Sequence, residues 1–388
     1  MHIDQRRTAV ALAGFCSFLN LYAPQSVLPL LARELGATPA DVSMTLTATT
    51  LAVALIAPFA GTVADVVGRK RIIVTAMFVL VFPTIMVAFA PTIHALIGWR
   101  FVQGLVLPPI FAVTVAYIGE EWPPAQAAGV TGLYISASGL GGFFGRFISG
   151  IAADFAGWHS AFLLLAAMTL VFAVAVAMLL PKEQHFRGSS GLSKSTRQML
   201  HHLRKPQLLA IYAVGFGVLF TFIATFTYVN FLLAAPPFHL SSSMLGSIFV
   251  VYLAGSIVTP LTGRAVARFG RRTIVLAAIA LAIAGLLVTL LPSLPAIVAG
   301  LTIVAMCGFM SQAVSTSFVP AVAPEGTSSA VGLYVSFYYI GGSAGAALPG
   351  FVWNVAGWPG CVAMVIAAML AMATIVALFW REKPVISA

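Results

Sequence analysis

Residues 132–158 read GLYISASGLGGFFGRFISGIAADFAGW, and residues 332–358 read GLYVSFYYIGGSAGAALPGFVWNVAGW. The two stretches lie 200 positions apart. They share Gly132/Gly332, Tyr134/Tyr334, Ser136/Ser336, Gly141/Gly341, Gly142/Gly342, Gly145/Gly345, Gly150/Gly350 and the pair Gly157-Trp158/Gly357-Trp358. The retained positions are mostly glycines and aromatics, residues that set how closely backbones approach and where chains turn. An internal repeat on this scale fixes the architecture before any single motif is read. It predicts a chain made of two halves with the same orientation.

Composition says where those halves sit. Of 388 residues, 60% are apolar and 8% charged, against about 25% charged in soluble domains. So few charges cannot cover a water-facing surface. A membrane-spanning helix needs roughly 20 apolar residues, and twelve such stretches fit: 8–31, 44–64, 72–90, 95–118, 127–150, 158–180, 208–233, 244–262, 273–291, 295–318, 328–350 and 359–380. The runs are long and unbroken, unlike the short alternating segments of a membrane barrel. The expected fold is therefore an all-α integral membrane protein with twelve transmembrane helices in two six-helix pseudo-symmetric bundles. Parallel repeats of this kind build many secondary transporters.

The net charge of +10 is distributed by side. With the N-terminus placed in the cytoplasm, seventeen of the twenty Lys and Arg residues fall on the cytoplasmic side, only Arg33 falls outside, and Arg100 and Arg146 lie within spans. That is the positive-inside pattern, which predicts a multi-pass inner-membrane protein with both termini cytoplasmic. The basic excess reads as a topology device with anionic lipid as neighbour, not as a nucleic-acid surface. Cys16, Cys307 and Cys361 are scattered inside spans without metal-ligand spacing, so neither a metal nor a cofactor is expected.

One long polar stretch, 181–207, reads PKEQHFRGSSGLSKSTRQMLHHLRKPQ. Its Ser, Gly and basic content predicts a cytoplasmic linker between an N-terminal bundle (1–180) and a C-terminal bundle (208–388). The other loops are short and leave no room for a catalytic, nucleotide-binding or sensor module. Nothing matches GxxxxGK[ST], so the chain carries no P-loop of its own.

The loop after the second span reads Gly61-Thr-Val-Ala-Asp65-Val-Val-Gly68-Arg69-Lys70-Arg71. It resembles the signature between helices two and three of the major facilitator superfamily: a Gly, then an Asp, then Gly-Arg-Lys or Arg. An echo stands 202 positions on, Gly263 to Arg272, where Ala267 replaces Asp65. The resemblance implies that Asp65, Gly68 and Arg69 latch a cytoplasmic gate, with Glu120 and Glu121 as partners for the arginines. The residues alone also allow Lys70 and Arg71 merely to set topology.

In the fourth span Trp99-Arg100-Phe-Val-Gln103-Gly104 is similar to the superfamily's helix-four motif. A charge within a span normally faces a cavity or a partner; the alternative for Arg100 is snorkelling toward the nearby span end. Gly139, Gly142, Arg146 and Gly150 are spaced 3, 4 and 4, so they share a helix face. The segment resembles the glycine-rich helix five of drug:proton antiporters, although 132–148 has no proline. Arg146 is read either as a gate or substrate contact or as a local partner of Asp154. In the first span, Leu21-Tyr22-x-x-Gln25 and Leu28-Pro29 resemble the arabinose-efflux-permease-like branch. The resemblance implies that helices one, four, seven and ten line a cavity. Asn20, Tyr22, Gln25, Arg100, Gln103, Thr225, Tyr228, Asn230 and Gln312 are the candidate lining residues. Each can instead be an interhelical hydrogen bond.

None of the ten acidic residues falls at a predicted helix midpoint. A proton-coupling group usually titrates inside the membrane. The candidates left are Glu34, Asp41, Asp65 and Asp154, all near an interface. The resemblance therefore implies a monomeric secondary transporter exporting a small organic or amphipathic solute against protons, and no enzyme. An importer or uniporter of a sugar or organic anion, and a membrane sensor that transports nothing, are the alternatives.

Overall fold

A computed structural model describes residues 4–184 and 192–380, apart from the side chains of 61–63, 65, 124, 192–196 and 256. The elements among them are helices: α1 Gln5–Leu21, a 3₁₀ turn Ala23–Val27, α2 Leu28–Glu34, α3 Pro39–Val67, α4 Arg69–Ala88, α5 Ile93–Glu121 and α6 Pro124–Leu179. Then come α7 Leu192–His202, α8 Pro206–Ala234, α9 Ser242–Ile248, α10 Val251–Phe269, α11 Arg271–Val288, α12 Leu294–Val322 and α13 Thr327–Phe379. Among the described residues, ten helical segments are long and apolar enough to cross a membrane. Two of these, α6 with 56 residues and α13 with 53, turn sharply at Gly157 (φ 79°) and Gly357 (φ 57°). Each is about twice the length a bilayer needs, so the expected twelve crossings are present.

Helix boundaries follow from local chemistry. Thr38 and Asp41 form a capping box at the start of α3, and the Thr92 hydroxyl accepts from the Ala95 amide at the start of α5; both satisfy amides that a helix start leaves unpaired. Gly68 (φ 102°) separates α3 from α4, and Gly270 (φ 80°) separates α10 from α11, conformations that a Cβ would strain. In the first span, Pro24 lies at the head of the 3₁₀ turn that interrupts the helix. Interrupted backbone inside a membrane protein persists only where other groups satisfy it.

The chain packs as two compact units. One is Met1–Leu192 with Phe226–Val250; the other is Ser193–Thr225 with Val251–Ala388. The repeat is visible inside each. In the first unit, a Cβ on Gly141 or Gly145 would fall on the carbonyls of Phe15 and Leu19. In the second, a Cβ on Gly341 or Gly345 would fall on the carbonyls of Phe216 and Phe220. Glycine thus lets α1 meet the first half of α6, and α8 meet the first half of α13, backbone against backbone. Trp158 and Trp358 are both buried after the paired glycine turns.

Candidate functional site

The first unit buries a polar network around the end of α1. Asn20 Nδ2 donates to the Thr169 hydroxyl of α6 (2.9 Å) and to the Cys16 carbonyl (3.0 Å). The Thr84 hydroxyl of α4 lies 3.4 Å from Asn20 Oδ1 and accepts from Gln103 Nε2 of α5 (2.7 Å). Gln103 Oε1 in turn accepts from Arg100 Nη1 (2.6 Å). The Arg100 guanidinium also donates to the Asn20 carbonyl (3.0 Å) and to the Leu21 carbonyl. These carbonyls have lost their helical partners because α1 stops at Leu21, and the arginine supplies the missing donors. Arg100 is 0% exposed, so it points inward and does not snorkel. Its Nε has no hydrogen-bond partner among the described residues.

A second cluster surrounds the 3₁₀ turn. Arg146 of α6 donates from Nε to Gln25 Oε1 (2.7 Å) and from Nη1 to the Gly142 carbonyl (2.6 Å). Its guanidinium lies over the rings of Tyr22 (4.7 Å) and Phe249 (4.4 Å), where ring faces stabilise a cation. Gln25 Nε2 donates to the Thr227 hydroxyl (2.9 Å), and Asn230 Nδ2 donates to the Gln25 carbonyl (2.9 Å). Ser26 and Ser149 donate to the carbonyls of Arg146 (2.7 Å) and Ala23 (2.9 Å). Tyr22, Gln25, Asn230 and Arg146 are therefore brought together, with Asn230 Oδ1 buried and unpartnered among the described residues.

Farther along α6, Asp154 receives two amides from the start of α9: Ser242 N to Oδ1 (3.0 Å) and Ser243 N to Oδ2 (2.8 Å). A carboxylate at a helix N-terminus satisfies unpaired donors and meets the positive end of the dipole. Gly150 and Gly246 allow this approach, since a Cβ on either would collide with the backbone of Ser242 or Arg146.

At the opposite end of the spans, Arg69 pairs with Glu120 through Nη2–Oε1 (2.7 Å) and Nε–Oε2 (3.1 Å), the bidentate geometry that guanidinium favours. Glu183 accepts from the Arg69 and Lys70 amides (3.1 and 3.2 Å) and so caps α4. Glu121 accepts from the Gln184 amide (2.8 Å), and Tyr117 donates to the Pro181 carbonyl (3.1 Å). Gly68 belongs here as well: a Cβ on it would meet the Glu183 carboxylate. Asp65 lies on α3, but its side chain is outside the described residues.

The remaining candidates are dispersed. Tyr228 is buried beside Phe231, with ring centroids 5.9 Å apart. Thr225 is buried with its hydroxyl unpartnered among the described residues, and the Gln312 carbonyl accepts from Ser315 (3.2 Å). Glu34 ends α2 on the surface, and the Asp41 carboxylate is occupied by the Thr38 amide (2.9 Å) and hydroxyl (2.7 Å). Thr84, Thr169, Ser26, Ser149, Thr227 and Glu183 were not singled out by the sequence. A hydroxyl inside a span usually bonds its own helix four residues back, as Thr84 and Thr169 also do. Sequence position alone does not show which of them also reach across.

A repeated, glycine-seated bundle of twelve spans, with a broken first helix and polar groups gathered at the break, defines a polytopic membrane transport protein. The Major Facilitator Superfamily profile matches residues 10–235 and 216–388, and the chain belongs to that family. It is a transporter, not an enzyme. It is 34% identical over 365 residues to the inner membrane transport protein YnfM of Escherichia coli K12, covering 94% of this chain and 87% of that one. It is 31% identical over 359 residues to the uncharacterized MFS-type transporter YybF of Bacillus subtilis 168, covering 92% and 89%. The fold matches the crystal structure of a bacterial homologue of the human lysosomal transporter Spinster, with TM-score 0.78 at 15% identity over 97% of this chain and 98% of that one.

Proposed function

We propose that the chain is a secondary active transporter of the inner membrane that exports a small organic or amphipathic solute in exchange for protons, by rocker-switch alternating access. Residues 1–180 and 208–388 are the rocking bundles, 181–207 is the cytoplasmic linker, both termini are cytoplasmic, and the working form is the monomer. The observation that carries this reading is the pair of side-chain clasps in the first unit. Arg146–Gln25–Asn230 and Asp154–Ser242–Ser243 hold the segment 226–250 against the 3₁₀ turn and α6 through a few hydrogen bonds. Such a seal opens by breaking side-chain bonds, without unfolding a helix. The Arg69–Glu120 pair and the Gly68 turn serve as the corresponding lock at the other end.

Asp154 is the strongest of the four proton-coupling candidates. Protonation removes the charge that binds two α9 amides, so it weakens the clasp in the step that must open it. Asp41 is engaged in its capping box, and Glu34 is exposed.

A second reading, import or uniport of an organic anion or sugar, is favoured by the burial of Arg100 and Arg146. Buried cations attract an anionic or zwitterionic solute. Flux into proteoliposomes, measured with and without an imposed pH gradient, separates the readings. The proposal expects gradient-driven flux that is abolished by collapsing the gradient and impaired in Asp154→Asn. Flux indifferent to the gradient selects the uniporter; an anion preference lost in Arg146→Ala selects the anion; absence of flux for every solute tested selects a non-transporting role.

A further inference from the structure

A groove of about 530 Å³ runs along the outer side of α3 and α5 in the first unit. Asp41 and His94 stand at its mouth, and Met44, Leu51, Ile97 and Phe101 line its length. Asp41 to Leu51 spans ten residues of α3, about 15 Å of helix. The groove therefore begins at the capped start of α3, where the span meets the headgroup region, and descends into the depth occupied by hydrocarbon. No Lys or Arg lines it. Its floor is open at Gly98, where an added Cβ would meet nothing within 4 Å.

We propose that this groove is a binding site for one phospholipid with a primary-ammonium, phosphoethanolamine-type headgroup. The headgroup carries a cation and an anion, and the mouth carries a matching pair of groups. Asp41 presents the carboxylate for the ammonium, and the His94 imidazole presents a nitrogen that donates to the phosphate. Thr38 occupies Asp41 Oδ2 through both its amide and its hydroxyl, which leaves Oδ1 for the ligand. One acyl chain then lies along Met44, Leu51, Ile97 and Phe101. A volume of this size is in the range of small-ligand pockets. An anionic headgroup is disfavoured, because the groove offers it a carboxylate and no cationic Lys or Arg. A choline headgroup has a full charge but no N–H to donate. The site is separate from the polar network and the clasps described above, so it does not depend on the transport reading.

Native mass spectrometry of the purified full-length chain tests this, with dioleoyl phosphatidylethanolamine, phosphatidylcholine and phosphatidylglycerol as probes. Phosphatidylethanolamine is expected to be retained about tenfold more strongly than either other lipid, the scale of one charge-assisted hydrogen bond. Asp41→Asn should reduce its retention to that of phosphatidylglycerol. Gly98→Phe fills the floor without touching the Asp41 cap and should abolish retention of the lipid outright. Gly263→Phe, on α10, also has open space for its Cβ and should leave retention unchanged. Equal retention of the three lipids overturns the proposal. So does undiminished phosphatidylethanolamine binding in Gly98→Phe, or a groove that takes decyltrimethylammonium but not the lipid, which would make it a site for a soluble cation.

Discussion

Where the first repeat places Asn20, Thr84, Arg100, Gln103 and Thr169, the second places Thr221, Leu286, Leu301, Val304 and Met369, offset by 200 to 202 positions. All ten are buried. Around them the same positions of the matching helices are buried too: Leu96 and Ile297, Ile110 and Ser311, Val113 and Val314, Trp158 and Trp358. Backbone and burial have been copied; the filling has not. In the first unit the space holds a directional hydrogen-bond network anchored by a cation. In the second it holds aliphatic and thioether side chains around a void of about 10 Å³ lined in part by Thr221, Cys307, Met369 and Met372, at the lower limit for a single water. Methionine adapts to changes in shape, whereas a satisfied polar network fixes one geometry. The first unit thus carries the filling that specifies one geometry at its broken helix, and the second the filling that tolerates a change of shape.

The sharpest way to break this comparison is to convert one filling into the other. Arg100→Leu alone should cost about 3 kcal/mol, because it strands the Asn20 and Leu21 carbonyls and the Gln103 side chain. The fivefold change to the second repeat's residues (Asn20→Thr, Thr84→Leu, Arg100→Leu, Gln103→Val, Thr169→Met) removes the stranded side-chain groups but leaves the Asn20 and Leu21 carbonyls without a donor, so it should recover only part of that loss, about 1 kcal/mol. Denaturant unfolding in detergent measures both. If the fivefold variant is the less stable of the two, the network is not the element that distinguishes the units.

Gly145→Ala and Gly345→Ala probe what the repeats share. Each Cβ would strike a backbone carbonyl of the facing helix, so each should cost about 1–3 kcal/mol, and the two costs should agree. Unequal costs would show that one helix pair can shift and the other cannot.

Asp154→Asn makes the first repeat resemble the second, which has Asn354. An amide offers one acceptor and one donor to two N–H groups, so roughly 1 kcal/mol is lost and the α9 start opens about fivefold more often. Alkylation of Ser243→Cys, with and without Asp154→Asn, reads this directly.

The smallest effect concerns a contact within the second unit. His202 of α7 lies with Nε2 3.2 Å from the Gly326 carbonyl, and burial holds its imidazole below the ordinary value. The neutral ring is the form that stays docked. Docking is therefore complete above the ordinary histidine pKa and weakens as pH falls below it. The protection of the α7 amides, taken relative to their intrinsic exchange rate at each pH, should fall by a few-fold between about pH 7.5 and pH 5.5, and His202→Gln should remove that dependence.

The repeat, the spans and the glycine seats were legible because each is written in residue type at fixed spacing: glycines where backbones touch, Gly-Trp where the chain turns. Arg100, Arg146 and Asp154 stood out because charge is rare in an apolar chain. What could not be read was the partner of each. The sequence offers Asp154 as a local partner for Arg146, yet the structure gives Arg146 to Gln25 and two rings, and Asp154 to the amides of α9. Backbone amides and carbonyls are present at every position, so they leave no mark in a sequence when they become partners. Glu183 was hidden in the same way: in a polar linker it looks like a solvated charge, although it caps α4.

That cap has a mechanical consequence. Glu183 holds the first two amides of α4, and Gln184 is held by Glu121 at the end of α5. A pull on the chain beyond Gln184 is therefore delivered to these two helix ends and not to the end of α6, from which the linker emerges. An affinity tag or fusion domain inserted between Leu180 and Gln184 would cut that line of force. The same insertion placed after Gln184 would leave it intact.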